Sequence, residues 1–199
     1  LYEQYARKLH RGGEGNEGYK ISLVNSLSSA ITPNTNNSDI DAINNSNHIR
    51  MQLLLFNADN YTAQEHDYIG YAEADTMFVT YIDREDIFED GKPVIHGRIG
   101  IDPNHEYHNY IASTSGFWLL GGSKYPEPMR CRNYYPFVIK RSHLQDMRNY
   151  ILQVHSNHDS INGVFEEYIR LFRGHLSHQF NVMCTYLWYF KRDDYKWYV

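Results

Sequence analysis

The sequence predicts an α/β fold: a layered sheet with flanking helices and a helical C-terminal third. Three observations carry the layered part. Short apolar runs without helical spacing, at 19–24, 68–72, 92–96 and 134–139, read as strands. Stretches with apolar residues every three or four positions lie between and after them. Strands separated by helices build layered α/β domains. The chain has 199 residues, which suits a single domain with a real core.

From the start, the first 20 residues are polar and glycine-rich. Gly13, Gly15 and Gly18 match a dinucleotide-binding pattern in form. That pattern follows a strand, whereas here the strand-like Tyr19–Val24 comes after it, and Glu14 and Glu17 would repel a pyrophosphate. A flexible loop is expected. Residues 32–48 are rich in Asn, Ser, Asp and Thr and read as a surface insertion that adds little core. Ile49, Leu53 and Phe56 have helical spacing, so a helix should precede the Tyr68 strand. Met77–Thr80 continues as an apolar segment. Asp83–Phe88 reads as a short helical turn and Lys92–His96 as a strand. Residues 102–132 look irregular. Tyr134–Ile139 reads as a strand near a sheet edge, because Pro136 cannot donate to a ladder.

The last third is helical in pattern. Ser142 with Gln145 forms a capping box ahead of the stripe Leu144, Met147, Ile151 and Val154. A second helix should run from about Asn162 to Arg173, present Phe165, Ile169 and Phe172, and stop at Gly174. A third should begin near Ser177 with Phe180, Cys184 and Leu187 on one face.

Composition removes several classes. A net charge of −5 and the lack of any Lys/Arg run argue against nucleic acid as a partner. No apolar stretch approaches the roughly 20 residues that span a bilayer. Cys131 and Cys184 do not make a disulfide framework; they read as small buried hydrophobes, with one bond between them as the alternative. Asn36, Asn44 and Asn60 each begin an N-x-S/T pattern, which matters only in a secretory-pathway lumen. The chain does not begin with Met, so a fragment of a longer protein is expected, with any targeting segment outside it.

The chemically informative element is Glu73-Ala74-Asp75, which follows the run Asp67–Ala72. Carboxylates two residues apart share a side of an extended chain. Open α/β sheets bind ligands at the carboxyl ends of their strands. Hard oxygen ligands there suit Mg²⁺ or Mn²⁺, which in turn grips a diphosphate. The plainer alternative is a solvated acidic turn.

Arg50-Met51-Gln52 opening an apolar helix, then Asp59-Asn60-Tyr61-Thr62, then Tyr68 through Phe78, resembles the metal-motif region of GT-A-type glycosyltransferases. The later Tyr135–Lys140 and the helix from His178 to Trp188 are similar to the acceptor-side half of eukaryotic members of that superfamily. The resemblance covers about residues 49–199. It implies a GT-A-like layered sheet with flanking helices, a nucleotide-sugar donor, a carbohydrate or glycoconjugate acceptor, and a divalent ion on Glu73 and Asp75, with His175 or His178 completing the metal site. Glutamate stands where the superfamily's motif begins with aspartate.

Other residues are candidates on their own chemistry. Lys140 ends an apolar strand and suits a leaving diphosphate, or simply solvent. Trp118, in Gly116–Gly122, suits a platform for a sugar or base, or a core anchor. Asp159, Glu166 and Glu167 are candidate general bases. His105 and His108 lack the helical spacing of a zinc-protease site. No Ser/His/Asp or Cys/His order supplies a nucleophile. The expected function is therefore metal-dependent glycosyl transfer; the alternative is a non-catalytic carbohydrate- or protein-binding domain.

Overall fold

A computed structural model describes residues 54–62, 64–72, 82–99, 118–122, 129–131, 136–172 and 179–199. The architecture is mixed α/β, with small sheets and several helices. The expected glycine loop at 11–18, the strand at 19–24, the insertion at 32–48 and the segment 77–80 lie outside the described residues.

Strand β1 (Tyr68–Tyr71) pairs antiparallel with β6 (Phe137–Lys140), with Tyr68 opposite Lys140 and Tyr71 opposite Phe137. Pro136 stands just before the ladder, as a residue without an N–H should. A short helix α1 (Arg84–Ile87) leads into β2 (Phe88–Glu89), which turns back into β3 (Lys92–His96). Asp90 and Gly91 form that two-residue turn with φ values of 53° and 75°. Two positive φ values are what such a turn needs to match strand twist. The C-terminal β7 (Lys196–Tyr198) pairs parallel with β3 and closes a three-stranded sheet. Two short strands, β4 (Arg98–Ile99) and β5 (Met129–Arg130), pair antiparallel.

The expected helical third is present as α2 (Arg141–Val154), α3 (Ile161–Phe172) and α4 (Gln179–Phe190). Leu144, Met147 and Ile151 of α2 are fully buried and pack in one cluster with Val164, Phe165 and Tyr168 of α3. Each fully buried side chain of this size contributes about 1.5–3 kcal/mol relative to exposure. Helix α4 departs from the one-face expectation: residues 179, 180 and 182–187 are all buried, so it runs through the core. A helix apolar on all sides is satisfied only there.

Two further expectations need correction. Ser142 and Gln145 do not cap α2; the helix starts two residues earlier than that cap implies, with Lys140 in extended conformation as its N-cap and no side-chain capping bond. Tertiary partners replace the cap. The Arg141 N–H donates to the Asp67 carbonyl at 2.8 Å, and the Lys140 N–H donates to the Tyr195 hydroxyl at 3.0 Å. Cys131 and Cys184 are buried as expected, but they are bonded as a disulfide rather than standing as free hydrophobes. The bond joins the end of β5 to α4. The Thr185 hydroxyl reinforces the same junction by accepting the Met129 N–H at 3.0 Å.

Candidate functional site

The two ends of β1 have different surroundings. At its start, Arg141 and Arg148 hold the segment that precedes the strand. Arg141 Nε donates to the His66 carbonyl at 2.7 Å, and its terminal nitrogens donate to the Asp59 carbonyl at 2.7 Å and Thr62 Oγ1 at 2.9 Å. Arg148 grips both carboxylate oxygens of Asp59 at 2.6 Å and also donates to the Phe56 carbonyl. Fork-to-fork pairing of this kind fixes geometry as well as charge. A polar cavity of about 360 Å³ opens beside these groups, lined by Asp59, Asp67, Lys140, Arg141, Gln145 and Arg148, among others. Its arginines are engaged in holding the backbone. Lys140 is the lining cation whose side chain has no partner among the described residues.

At the exit of β1 the surroundings are aromatic. Tyr71 is buried, and its hydroxyl donates to the Leu55 carbonyl at 2.9 Å. Burial, and secondarily the Asp59 charge, hold its phenol far above the ordinary range. Its ring packs against Phe137 at 5.9 Å and meets Phe180 edge-on at 5.6 Å, while Phe137 and Phe180 stand 5.4 Å apart. The start of α4 is thereby anchored beside the end of β1. Glu73 follows Tyr71 by two residues, and His178 precedes Phe180 by two.

Glu73, Asp75 and His178 themselves lie outside the described residues, as do His105, His108 and His175. Among the described residues, no group of three or more His, Cys, Asp or Glu is arranged to hold a metal ion. Lys140 is placed opposite Tyr68, at the far end of β1 from the acidic motif. Trp118 is half-buried, its ring 4.1 Å from that of His155 and 5.9 Å from that of Tyr168. The Trp118 carbonyl is bonded by His155 Nε2 at 2.9 Å. That packing gives the tryptophan a structural role beside α2 and α3. Of the candidate bases, Glu167 pairs with His158 at 2.6 Å, while Asp159 and Glu166 are exposed.

Three groups escaped sequence reasoning. The Asp59–Arg148 pair spans 89 positions, which no local pattern reveals. A chain of contacts runs from the Lys140 N–H through the Tyr195 hydroxyl to His143 Nδ1 at 2.8 Å, leaving Nε2 to face Asp194 at 3.3 Å. Burial, then Lys191, holds the His143 imidazole below its usual pKa. The third is Gln179, the first residue of α4, buried at 2% exposure with its side-chain oxygen lacking a partner among the described residues. A glutamine opening an otherwise apolar helix was the signal available for it.

Comparison with known proteins finds no matching family model, no matching curated protein and no matching solved structure. No helix among the described residues is long and apolar enough to cross a membrane.

Proposed function

We propose that this chain is a GT-A-type glycosyltransferase that moves a sugar from a nucleotide-sugar donor to a carbohydrate or glycoconjugate acceptor. The observation that supports the reading is the Tyr71–Phe180 contact, which packs the exit of β1 against the start of α4, the two elements that adjoin the acidic motif and His178 in the sequence. Glu73, Asp75 and His178 are the residues that would hold the ion. Two carboxylates and an imidazole are a donor set that fits Mn²⁺ or Mg²⁺. A divalent ion bound there supplies Lewis-acid stabilisation of the departing diphosphate. The chain's own contribution is rigidity: the Tyr71, Phe137 and Phe180 rings fix the strand exit and the helix start against each other. The Cys131–Cys184 bond fits an oxidising compartment such as the secretory-pathway lumen.

One observation favours the non-catalytic carbohydrate- or protein-binding alternative. Lys140, the expected diphosphate clamp, stands at the other end of β1, and the neighbouring arginines are committed to backbone and Asp59. Calorimetric titration with nucleoside diphosphates, with and without Mn²⁺, separates the two readings. The glycosyltransferase reading requires Mn²⁺-dependent binding that Asp75→Asn abolishes without lowering the melting temperature. Glu73→Asp, which restores the commoner carboxylate length, should retain binding. Folded wild-type protein that binds no nucleotide under any metal condition leaves the binding-domain reading.

A further inference from the structure

We infer that Asn60 carries an N-linked oligosaccharide, added before the turn around it folds. The inference stands apart from the glycosyltransferase reading and holds equally for a binding domain. Asn60-Tyr61-Thr62 is an N-x-S/T pattern, which becomes a modification site only on the surface of a protein that enters a secretory lumen. Asn36 and Asn44 begin the same pattern but lie outside the described residues. For Asn60, two separate observations bear on those conditions. The residue ends the short 3-10 turn Ala58–Asn60 and is exposed. The Cys131–Cys184 bond belongs to oxidising compartments, where such glycans are added.

Local geometry decides what the attachment disturbs and when it can happen. Backbone bonds close the turn: the Asn60 N–H donates to the Asn57 carbonyl at 2.9 Å and the Tyr61 N–H to the Ala58 carbonyl at 3.1 Å. The Asn60 side-chain amide has no partner among the described residues, so a glycan on it breaks no bond there. Asn60 also lines the open polar cavity of about 360 Å³, which leaves room for the first sugar. Thr62 is the opposite case. Its hydroxyl donates to the Ala58 carbonyl at 3.0 Å and accepts from an Arg141 terminal nitrogen at 2.9 Å. The glycan-transferring enzyme must bind that hydroxyl on an extended acceptor segment, and the folded turn offers neither. Arg141 also holds the Asp59 and His66 carbonyls on either side of the pattern, so the hydroxyl is freed only when the whole segment detaches. Transfer therefore acts on the unfolded chain. In that step Asn60 Nδ2 bonds to the anomeric carbon of a lipid-pyrophosphate-linked oligosaccharide. The bond from that carbon to the pyrophosphate oxygen breaks, the lipid pyrophosphate leaves with the electron pair, and one Nδ2 proton passes to a base of the transferring enzyme.

The test is peptide mass spectrometry on the full-length protein, purified unreduced from its own cells. Trypsin releases Met51–Arg84, which holds Asn60 and neither of the other patterns, while Asn36 and Asn44 fall together on Ile21–Arg50. The expected result is a glycosylated Met51–Arg84 peptide in protein whose Cys131–Cys184 bond is intact. Peptide N-glycosidase should strip the glycan and leave Asn60 converted to aspartate. Asn60→Gln should remove the glycan from this peptide, and Thr62→Ser, which keeps the hydroxyl, should retain it. A Met51–Arg84 peptide found wholly unmodified overturns the inference, and so does recovery of both cysteines as free thiols. A second measurement checks the order of events. Glycan-free protein folded with its disulfide should accept no oligosaccharide at Asn60 from microsomal membranes, whereas the same chain, reduced and unfolded, should accept it. Equal acceptance by the two forms overturns the proposed order, and refusal by both overturns the site.

Discussion

Reducing the Cys131–Cys184 bond should lower stability by roughly 4 kcal/mol without changing the native fold. The two cysteines are 53 positions apart, and the entropy of closing a loop of that length in the unfolded chain gives about this value. For a protein of this size, each kcal/mol moves the melting temperature by about 2–4 °C, so the shift should be roughly 8–16 °C. The native junction should survive reduction because Thr185 also holds it: its hydroxyl accepts the Met129 N–H and lies 2.7 Å from the Asn181 carbonyl oxygen. The effect therefore belongs mainly to the unfolded state. Urea unfolding followed by circular dichroism, with and without reductant, measures it. Thiol alkylation of denatured, unreduced protein checks the bond itself. The Cys131→Ala/Cys184→Ala double variant should fall at least as far, because both side chains are buried and alanine leaves space. Equal midpoints for oxidised and reduced protein, or ready alkylation of both cysteines without reduction, would refute this reasoning and return them to plain core residues.

Asp59→Asn should cost about 3–5 kcal/mol, since it leaves Arg148 half-buried without its carboxylate; Asp59→Asn/Arg148→Met should recover part of that in the same urea assay. His143 makes an acid-sensitive contribution: its folded pKa lies below its unfolded value, so the unfolded chain binds more protons as pH drops below about 6.5, and stability is lost from there downward. His143→Gln should flatten that limb of a melting-temperature profile between about pH 6.5 and 5; an unchanged profile would assign the acid sensitivity to other groups. Gly91→Ala should destabilise by about 1–2 kcal/mol in urea unfolding, because a φ of 75° strains any residue with a Cβ although nothing crowds the site; no measurable loss would mean that the turn relaxes.

Local patterns made several elements legible. The Lys92–His96 strand matches β3 end to end, and the apolar period of α2 places Leu144, Met147 and Ile151 inside. The helix predicted from Asn162 to Arg173 is displaced by one residue at each end. What failed did so for nonlocal reasons. Ser142 and Gln145 have the right spacing for a cap, but Asp67 and Tyr195, from distant parts of the chain, already bind the amides at the start of α2. The disulfide depends on β5 meeting α4, which cysteine count does not specify. The sequence places Phe180, Cys184 and Leu187 on one buried face of α4, yet Gln179, Val182, Met183, Thr185 and Tyr186 are buried as well, because neighbours from several elements surround the helix. Asp90-Gly91, by contrast, is a hairpin signal with a local mechanism, and it lay open to reading.

The distribution of charge along β1 bears on where chemistry can occur. Arg141 and Arg148 make eye-catching candidates for a phosphate site, since guanidinium forks match phosphate as well as carboxylate. Here their donors are spent on three backbone carbonyls, Thr62 and Asp59, all in the segment that enters the strand. A phosphate recruiting them would have to displace bonds that position β1 itself. Unpaired buried polar atoms occur near both ends of the strand: His66 Nε2 just before it, and Gln179 Oε1 and Asn181 Oδ1 in the first turn of α4. The two arginines at the strand's entrance therefore serve the fold, and a ligand could recruit them only by loosening the segment that they hold.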